Sequence, residues 1–357
     1  MALDKAFYKK YGFNLSNALG SGCTVMCITG GRSTGKTYTA KRQAIKEFIE
    51  RGWQFAYVRH YDEEIKKITS KKNPRAWFAD IIANDEFPGY DFRLNGREAQ
   101  CARVTGDGKP KWETMGMLYS LCQAQAYKGD VAPDCHLMIF DEFIREKRGA
   151  GYPPGCVTAL MGLWETLDRR QNRVRILMLA NAADVVNPFY AEWHITPPAA
   201  GHHKRVYVGR LPVYVEHAKN ADFEAAAAQS NIGLMTEGSA YGAYALENVF
   251  ANASSPFVGP RPRRARAQAN ILWDGRWFGV WMNLDTLGCW MHEGRAEGAS
   301  MEFCLFAKDA EPNILMIEHS APYLKGLARL FRIGQLTFDR ATTANRVIDM
   351  LRLCGVR

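Results

Sequence analysis

No apolar run in this 357-residue chain approaches the ~20 residues that a membrane-spanning helix needs. The opening residues, Met1-Ala2-Leu3-Asp4-Lys5, hold no signal-peptide core. These two absences predict a cytosolic protein with no membrane partner. Nine cysteines are scattered without a C-x-x-C pair. Cys23 and Cys27 flank or sit in a predicted strand, four residues apart and too far to bridge easily, so reduced core thiols are expected. The histidines supply no metal site: His202 and His203 are adjacent, their rings diverge on a strand, and no cysteine stands at zinc spacing. The net charge of +9 suits a polyanionic partner but is spread too widely to specify one.

What is present is organised around Gly30-Gly31-Arg32-Ser33-Thr34-Gly35-Lys36-Thr37, a full match to the Walker A pattern G-x-x-x-x-G-K-[ST]. A β-branched run, Thr24 to Thr29, predicts a buried strand before it. Helical spacing over Tyr38 to Ile49 predicts a helix after it. Such a loop turns successive N–H groups toward one anion, with the helix N-terminus behind them. Lys36 should reach the β and γ phosphates of ATP, and Thr37 should offer its hydroxyl to Mg²⁺.

The second anchor is His136-Leu137-Met138-Ile139-Phe140-Asp141-Glu142, an apolar strand running into two acids, the Walker B arrangement. Asp141 would hold the Mg²⁺ shell, and Glu142 would act as general base on the attacking water. Two or three strands are expected between the anchors. Trp53 to His60 reads as one of them, its tip placing Arg59 and His60 near the nucleotide or a subunit boundary. Gly106-Asp107-Gly108 predicts a hairpin turn, and Thr114 to Tyr127 reads as a helix with a Met and Leu face. Further on, Cys156 to Asp168 reads as a helix ending in Arg169-Arg170-Gln171-Asn172-Arg173. Val174 to Ala180 reads as a strand whose tip, Asn181, is placed to sense the γ-phosphate.

The length predicts two domains. Pro197-Pro198-Ala199-Ala200-Gly201 has linker character, and Arg261-Pro262-Arg263-Arg264-Ala265-Arg266 is the densest basic run, a solvated loop or a phosphate contact. From Asn270 three short strands form a meander of the kind that opens an RNase H-like fold, completed by Asn313 to Glu318 and two terminal helices. Its early acids, Asp274 and Asp285, fall on turns, whereas a two-metal nuclease needs carboxylates converging on one point. The expected division is a P-loop ATPase domain at 1–196, a linker or lid at 197–269, and an RNase H-like α+β domain at 270–357.

Through Met138 to Lys147, Tyr57-Val58-Arg59, Arg32 in the phosphate loop, Val157 to Arg175 and Asn181-Ala182, the chain resembles the DNA-packaging (encapsidation) ATPases of small tailed phages with protein-primed linear genomes, the phi29-like family. The resemblance implies an ASCE-type ATPase joined to a vestigial nuclease. It also implies a homo-oligomeric ring of about five subunits, docked on the portal (connector) protein of a procapsid in the host cytoplasm and threading double-stranded DNA inward. In some members a packaging RNA lies between portal and ATPase. Residue by residue, the family's trans-acting arginine finger falls on Arg169 and a second assisting cation on Lys147, with Arg145 and Arg148 as alternatives. Asp62 and Glu63 depart from the basic residues expected where DNA is gripped, leaving Lys66 and Lys67 as substitutes. A P-loop small-molecule kinase and a non-enzymatic, NTP-gated capsid-vertex scaffold are the competing functions.

Overall fold

The structure, a computed structural model, describes residues 12–69, 72–104, 110–130, 132–145, 151–181, 187–237, 257–318 and 321–353. In chain order α1 (Ser16–Gly20) precedes β1 (Val25–Gly30), α2 (Lys36–Arg51), β2 (Gln54–Arg59), α3 (Asp62–Ile68) and α4 (Ala79–Ala83). Then come β3 (Tyr90–Asn95), β4 (Glu98–Arg103), β5 (Glu113–Ser120), β6 (Cys135–Asp141), α5 (Cys156–Asp168), β7 (Arg175–Asn181) and α6 (Pro188–Glu192). The hairpin β8 (His202–Val208) and β9 (Leu211–Ala218) leads to α7 (Ala221–Ala228) and α8 (Asn231–Thr236). Last are β10 (Ala265–Trp273), β11 (Arg276–Asn283), β12 (Cys289–Glu293), β13 (Met301–Cys304), β14 (Leu315–Met316), α9 (Pro322–Arg332), β15 (Leu336–Phe338) and α10 (Ala341–Leu353). Among the described residues no helix is long and apolar enough to cross a membrane.

The chain folds as two units, Met1–Asp184 with Pro197–Ala251, and Val185–Thr196 with Asn252–Arg357. The first holds a nine-stranded sheet in the order β3-β4-β5-β2-β6-β7-β1-β9-β8. From β5 through β9 every neighbouring pair is parallel. Antiparallel pairs close both edges. Helices on the faces bury such strands on both sides, which is why β1 and β6 are mostly apolar rather than alternating. The strand β7 separates the Walker A strand β1 from the Walker B strand β6, the arrangement of an ASCE P-loop ATPase.

Three expectations change. Thr114 to Tyr127 is not a helix: β5 occupies Glu113–Ser120 and a 3₁₀ turn occupies Leu121–Tyr127. Its buried apolar positions fit either period, and the parallel partner β2 decides. A Cβ on Gly116 would meet the Phe55 carbonyl oxygen at 2.6 Å, so glycine lets the two strands lie side by side. Four strands rather than two or three therefore intervene between the anchors. The runs flanking the predicted hairpin do pair as β4 and β5, while Gly106-Asp107-Gly108 lie outside the described residues.

The second change concerns residues 197–269. They are not a linker throughout, because β8 and β9 complete the ATPase sheet, with β9 parallel to β1. Gly30 faces Ala218 so closely that a Cβ would stand 3.0 Å from its carbonyl oxygen. Third, α6 belongs with the second unit rather than inside 1–196. Asn187 caps this helix by accepting from Tyr190 N at 3.0 Å, Pro188 starts it, and Phe189 and Tyr190 are buried.

The second unit is a sheet in the order β14-β13-β10-β11-β12-β15. The meander β10-β11-β12 is antiparallel, while β13 and β14 add in parallel beyond β10. This is the RNase H-like order expected from the three opening strands. Ile271, Phe278, Val280 and Met291 form its core with Leu327 of α9 and Val347 of α10. The four-residue β13 and three-residue β15 are too short to show a period in sequence. The basic run is not a free loop: Arg261 lies over Trp281 at 4.2 Å, Arg264 pairs with Asp285 at 2.8 Å, and Arg266 is already in β10.

Candidate nucleotide site

At the carboxyl edge of the first sheet, β1 delivers the phosphate loop, β6 the acids and β7 the residue between them. Ser33 at φ 60° and Gly35 at φ 81° turn the loop into α2, whose N-cap is Gly35. A cleft of about 210 Å³ is lined by Ser33 to Tyr38 from the loop and α2, by Asp141 and Glu142, by Ala180 and Asn181, and by Asp80. Gly30 and Gly31 serve the site through their carbonyls. Arg32 is half-buried and does not line the cleft.

Lys36 is buried, its Nζ donating to Gly31 O at 2.6 Å, Gly30 O at 3.2 Å and Thr34 Oγ1 at 3.3 Å. Burial pulls its pKa down to about 8, with the negative charge of Asp141 opposing. Thr37 Oγ1 donates to Asp141 Oδ1 at 2.9 Å, bringing together the two oxygens expected to hold Mg²⁺. The donor set fits that ion: a hydroxyl and a carboxylate beside an anion-binding loop. The other oxygen of Asp141 accepts from the Tyr57 hydroxyl at 2.6 Å, and Arg59 Nη1 lies 3.4 Å from it.

Glu142 differs from its neighbour in every respect. Its backbone is left-handed at φ 55°, a strained state for glutamate, and its carboxylate is half exposed. Arg59 Nη2 donates to Glu142 Oε2 at 2.5 Å and lies 3.7 Å from Glu64 Oε1 on α3. Glu64 in turn pairs with Arg145 at 2.9 Å, and Arg145 lies over the Tyr61 ring at 5.0 Å. A chain of charges thus joins the general-base candidate to the helix carrying Lys66 and Lys67. Asp62 is buried and pairs with Arg97 and Lys66, so this acid, standing where a basic residue was expected, serves the fold.

Of the two residues at the β2 tip, Arg59 faces the acids. His60 is core: its Nε2 lies 3.1 Å from Phe143 O, its ring meets Phe140 and Tyr152, and burial pushes its pKa down to about 4. Asn181 lines the cleft beside Gly30, its register partner. Sequence reasoning misses Tyr57 and the Asp80–Lys41 pair at 2.7 Å, because a tyrosine in an apolar run reads as core and Asp80 sits in a segment with no motif.

The basic candidates separate. Arg145 is engaged with Glu64 within its own chain, whereas Lys147 and Arg148 lie outside the described residues. Arg169 follows α5, exposed, at the opposite edge of the sheet. Arg173 in the same loop donates to Cys135 O at the start of β6, a strand length of about 20 Å from Asp141. Arg169 Nη2 donates to Asp130 O at 3.2 Å, and among the described residues it has no carboxylate partner.

The profile of the podovirus DNA encapsidation protein (Gp16) family matches residues 3–354. The DNA packaging protein of Bacillus phage B103 is 30% identical over 314 residues, covering 87% of this chain and 91% of that protein. That of Bacillus phage phi29 is 30% identical over 329 residues, covering 91% and 92%. Among solved structures, a chain of the bacteriophage Phi-29 viral genome packaging motor assembly superposes with a TM-score of 0.67 at 28% identity, covering 96% of this chain and 99% of that one. The Phi-28 gp11 DNA packaging motor shares the fold, with a TM-score of 0.66 at 15% identity over 98% of each chain. With the Walker loop, the paired acids and the end-to-end match in view, the chain belongs to the podovirus DNA encapsidation (Gp16) family.

Proposed function

We propose that the chain is an ATP-driven double-stranded DNA translocase that packages a viral genome into a procapsid, acting as a homomeric ring at the portal vertex. The observation that carries this is a division of labour across the sheet. Lys36, Thr37, Asp141 and Glu142 gather at one edge, while Arg169 stands exposed at the other, too far to reach its own cleft. Only a second copy can bring that cation to the γ-phosphate.

ATP binding would draw Lys36 Nζ from the loop carbonyls onto the β and γ phosphates. Thr37 and Asp141 would hold Mg²⁺, which when bound neutralises charge building on the phosphoryl oxygens. Asp141 is already committed to Thr37, Tyr57 and Arg59. That leaves Glu142 to take the proton from water, for which it must leave Arg59. Asn181 would orient that water, and Arg169 of a neighbouring copy would stabilise the transferring phosphoryl, worth ~10³–10⁵ in rate. The family resemblance assigns Lys147 an assisting role and brings the portal protein and, in some members, a packaging RNA as partners. Held through its phosphates, DNA should bind with little sequence preference and weaken steeply with salt.

ATPase rate measured against protein concentration, with and without duplex DNA, tests this reading. A superlinear rise with DNA stimulation is expected. A linear rate indifferent to DNA would return the small-molecule kinase, and nucleotide binding with no gain in hydrolysis on assembly would return the scaffold.

A further inference from the structure

We infer that Asp168 is a positioning residue that holds the 169–172 loop so that Arg169 projects toward a neighbouring copy. This rests on the reading of Arg169 given above. Helices commonly end on a glycine in the left-handed conformation. Here Arg169 takes that place at φ 47°, followed by Arg170 at φ 60° and Asn172 at φ 58°. Three side-chain-bearing residues in this region within four positions is strained, and it persists only where the surroundings over-determine it.

Asp168 supplies the determination. The residue is buried, and its carboxylate takes three backbone N–H groups from one loop. Oδ2 accepts from Asn172 N at 2.9 Å, and Oδ1 accepts from Arg173 N at 2.8 Å and Val174 N at 2.9 Å. The Arg173 guanidinium fastens the far end, donating to Leu167 O at 2.7 Å, Cys135 O at 2.9 Å and Ala132 O at 3.0 Å. Arg170 is occupied by Glu165 at 2.6 Å. The loop is therefore fastened at both ends, and Arg169, which donates to Asp130 O, is the exposed cation of this loop that has no carboxylate partner among the described residues. A glycine at 169 would make the turn with less strain but would carry no guanidinium. The three bonds to Asp168 offset the strain of placing arginine there.

The test compares D168A, D168N, R169A and the D168A/R169A double variant as full-length protein assembled with duplex DNA, reading kcat, nucleotide affinity and Tm. D168A should lower kcat about a hundredfold, the cost of a misplaced catalytic group, with nucleotide affinity unchanged. D168N, which keeps one acceptor oxygen, should fall between. In the R169A background D168A should lower kcat no further, since there is no finger left to misplace. A kcat loss from D168A equal in both backgrounds, or a fall in Tm alone, would overturn the assignment and leave Arg169 standing. R169A at the wild-type rate would instead sink the reading of Arg169 and this one with it. Should D168A fail to fold, the same cycle is run with D168N.

Discussion

At the carboxyl edge of the first sheet Asp141 and Glu142 meet Lys36, Thr37 and Arg59. In the second unit, Asp274 pairs with Lys308 at 2.7 Å, Asp285 pairs with Arg264 at 2.8 Å, and Glu302 accepts from Asn270 at 3.0 Å. Both units place acids on strands or in the turns that follow them. In the first, parallel strands point their carboxyl ends the same way, so residues distant in sequence converge. In the second, an antiparallel meander sends alternate turns to opposite ends, and each of these acids pairs with a different group. The chemical value of a carboxylate therefore depends on strand direction as much as on the residue itself.

The contrast can be broken most forcefully at Glu142. Glu142→Gln should reduce ATP hydrolysis by ~10²–10⁴ while leaving nucleotide affinity intact, since the amide cannot accept the proton from water. Rapid-quench hydrolysis and equilibrium binding would check both halves, and hydrolysis near the wild-type rate would remove Glu142 from the mechanism. An intermediate effect is expected from pH. The Lys36 pKa, near 8 in the folded protein, lies below its unfolded value of about 10.5. Between those values the unfolded chain binds more protons, so stability without nucleotide should rise with pH across that window. Affinity should move oppositely, weakening up to about tenfold per pH unit above 8, because phosphate requires the cation. Calorimetry in buffers of different ionisation enthalpy should detect proton uptake on binding, and its absence at pH 8–9 would refute the low pKa. The smallest effect belongs to the second unit. Asp274→Ala removes an exposed pair with Lys308 and should change stability only slightly in chemical denaturation, leaving ATPase unaltered.

Much of the site is legible in sequence because its chemistry is local. Gly30 to Thr37 run without a break from the end of β1 through the loop into α2, and the apolar strand ending in Asp141-Glu142 carries its signature within seven residues. The partners of those groups are not legible. Arg59 reads as any charged strand tip, yet it contacts Glu142 across two adjacent strands. Tyr57 reads as core, and it is core, but its hydroxyl holds Asp141. The β5 segment reads as a helix because a buried apolar run carries no period that separates strand from helix until a neighbour is known. Lys204 to Glu216 alternates as a single strand would, and neither the turn that divides it into β8 and β9 nor the sheet they join is legible.

By itself the sequence determined the phosphate loop, the acids that face it, the order of most strands and helices, and the family. These rest on backbone conformation and short-range spacing, which a dozen contiguous residues can encode. Tertiary structure alone decided that β7 lies between the anchors, that Arg59 restrains the base candidate, that 202–218 completes the ATPase sheet, and that Asp168 ties down the loop bearing Arg169. Each of those depends on which strands become neighbours or on contacts a loop makes once folded, and strand order is set by packing each unit around its own core.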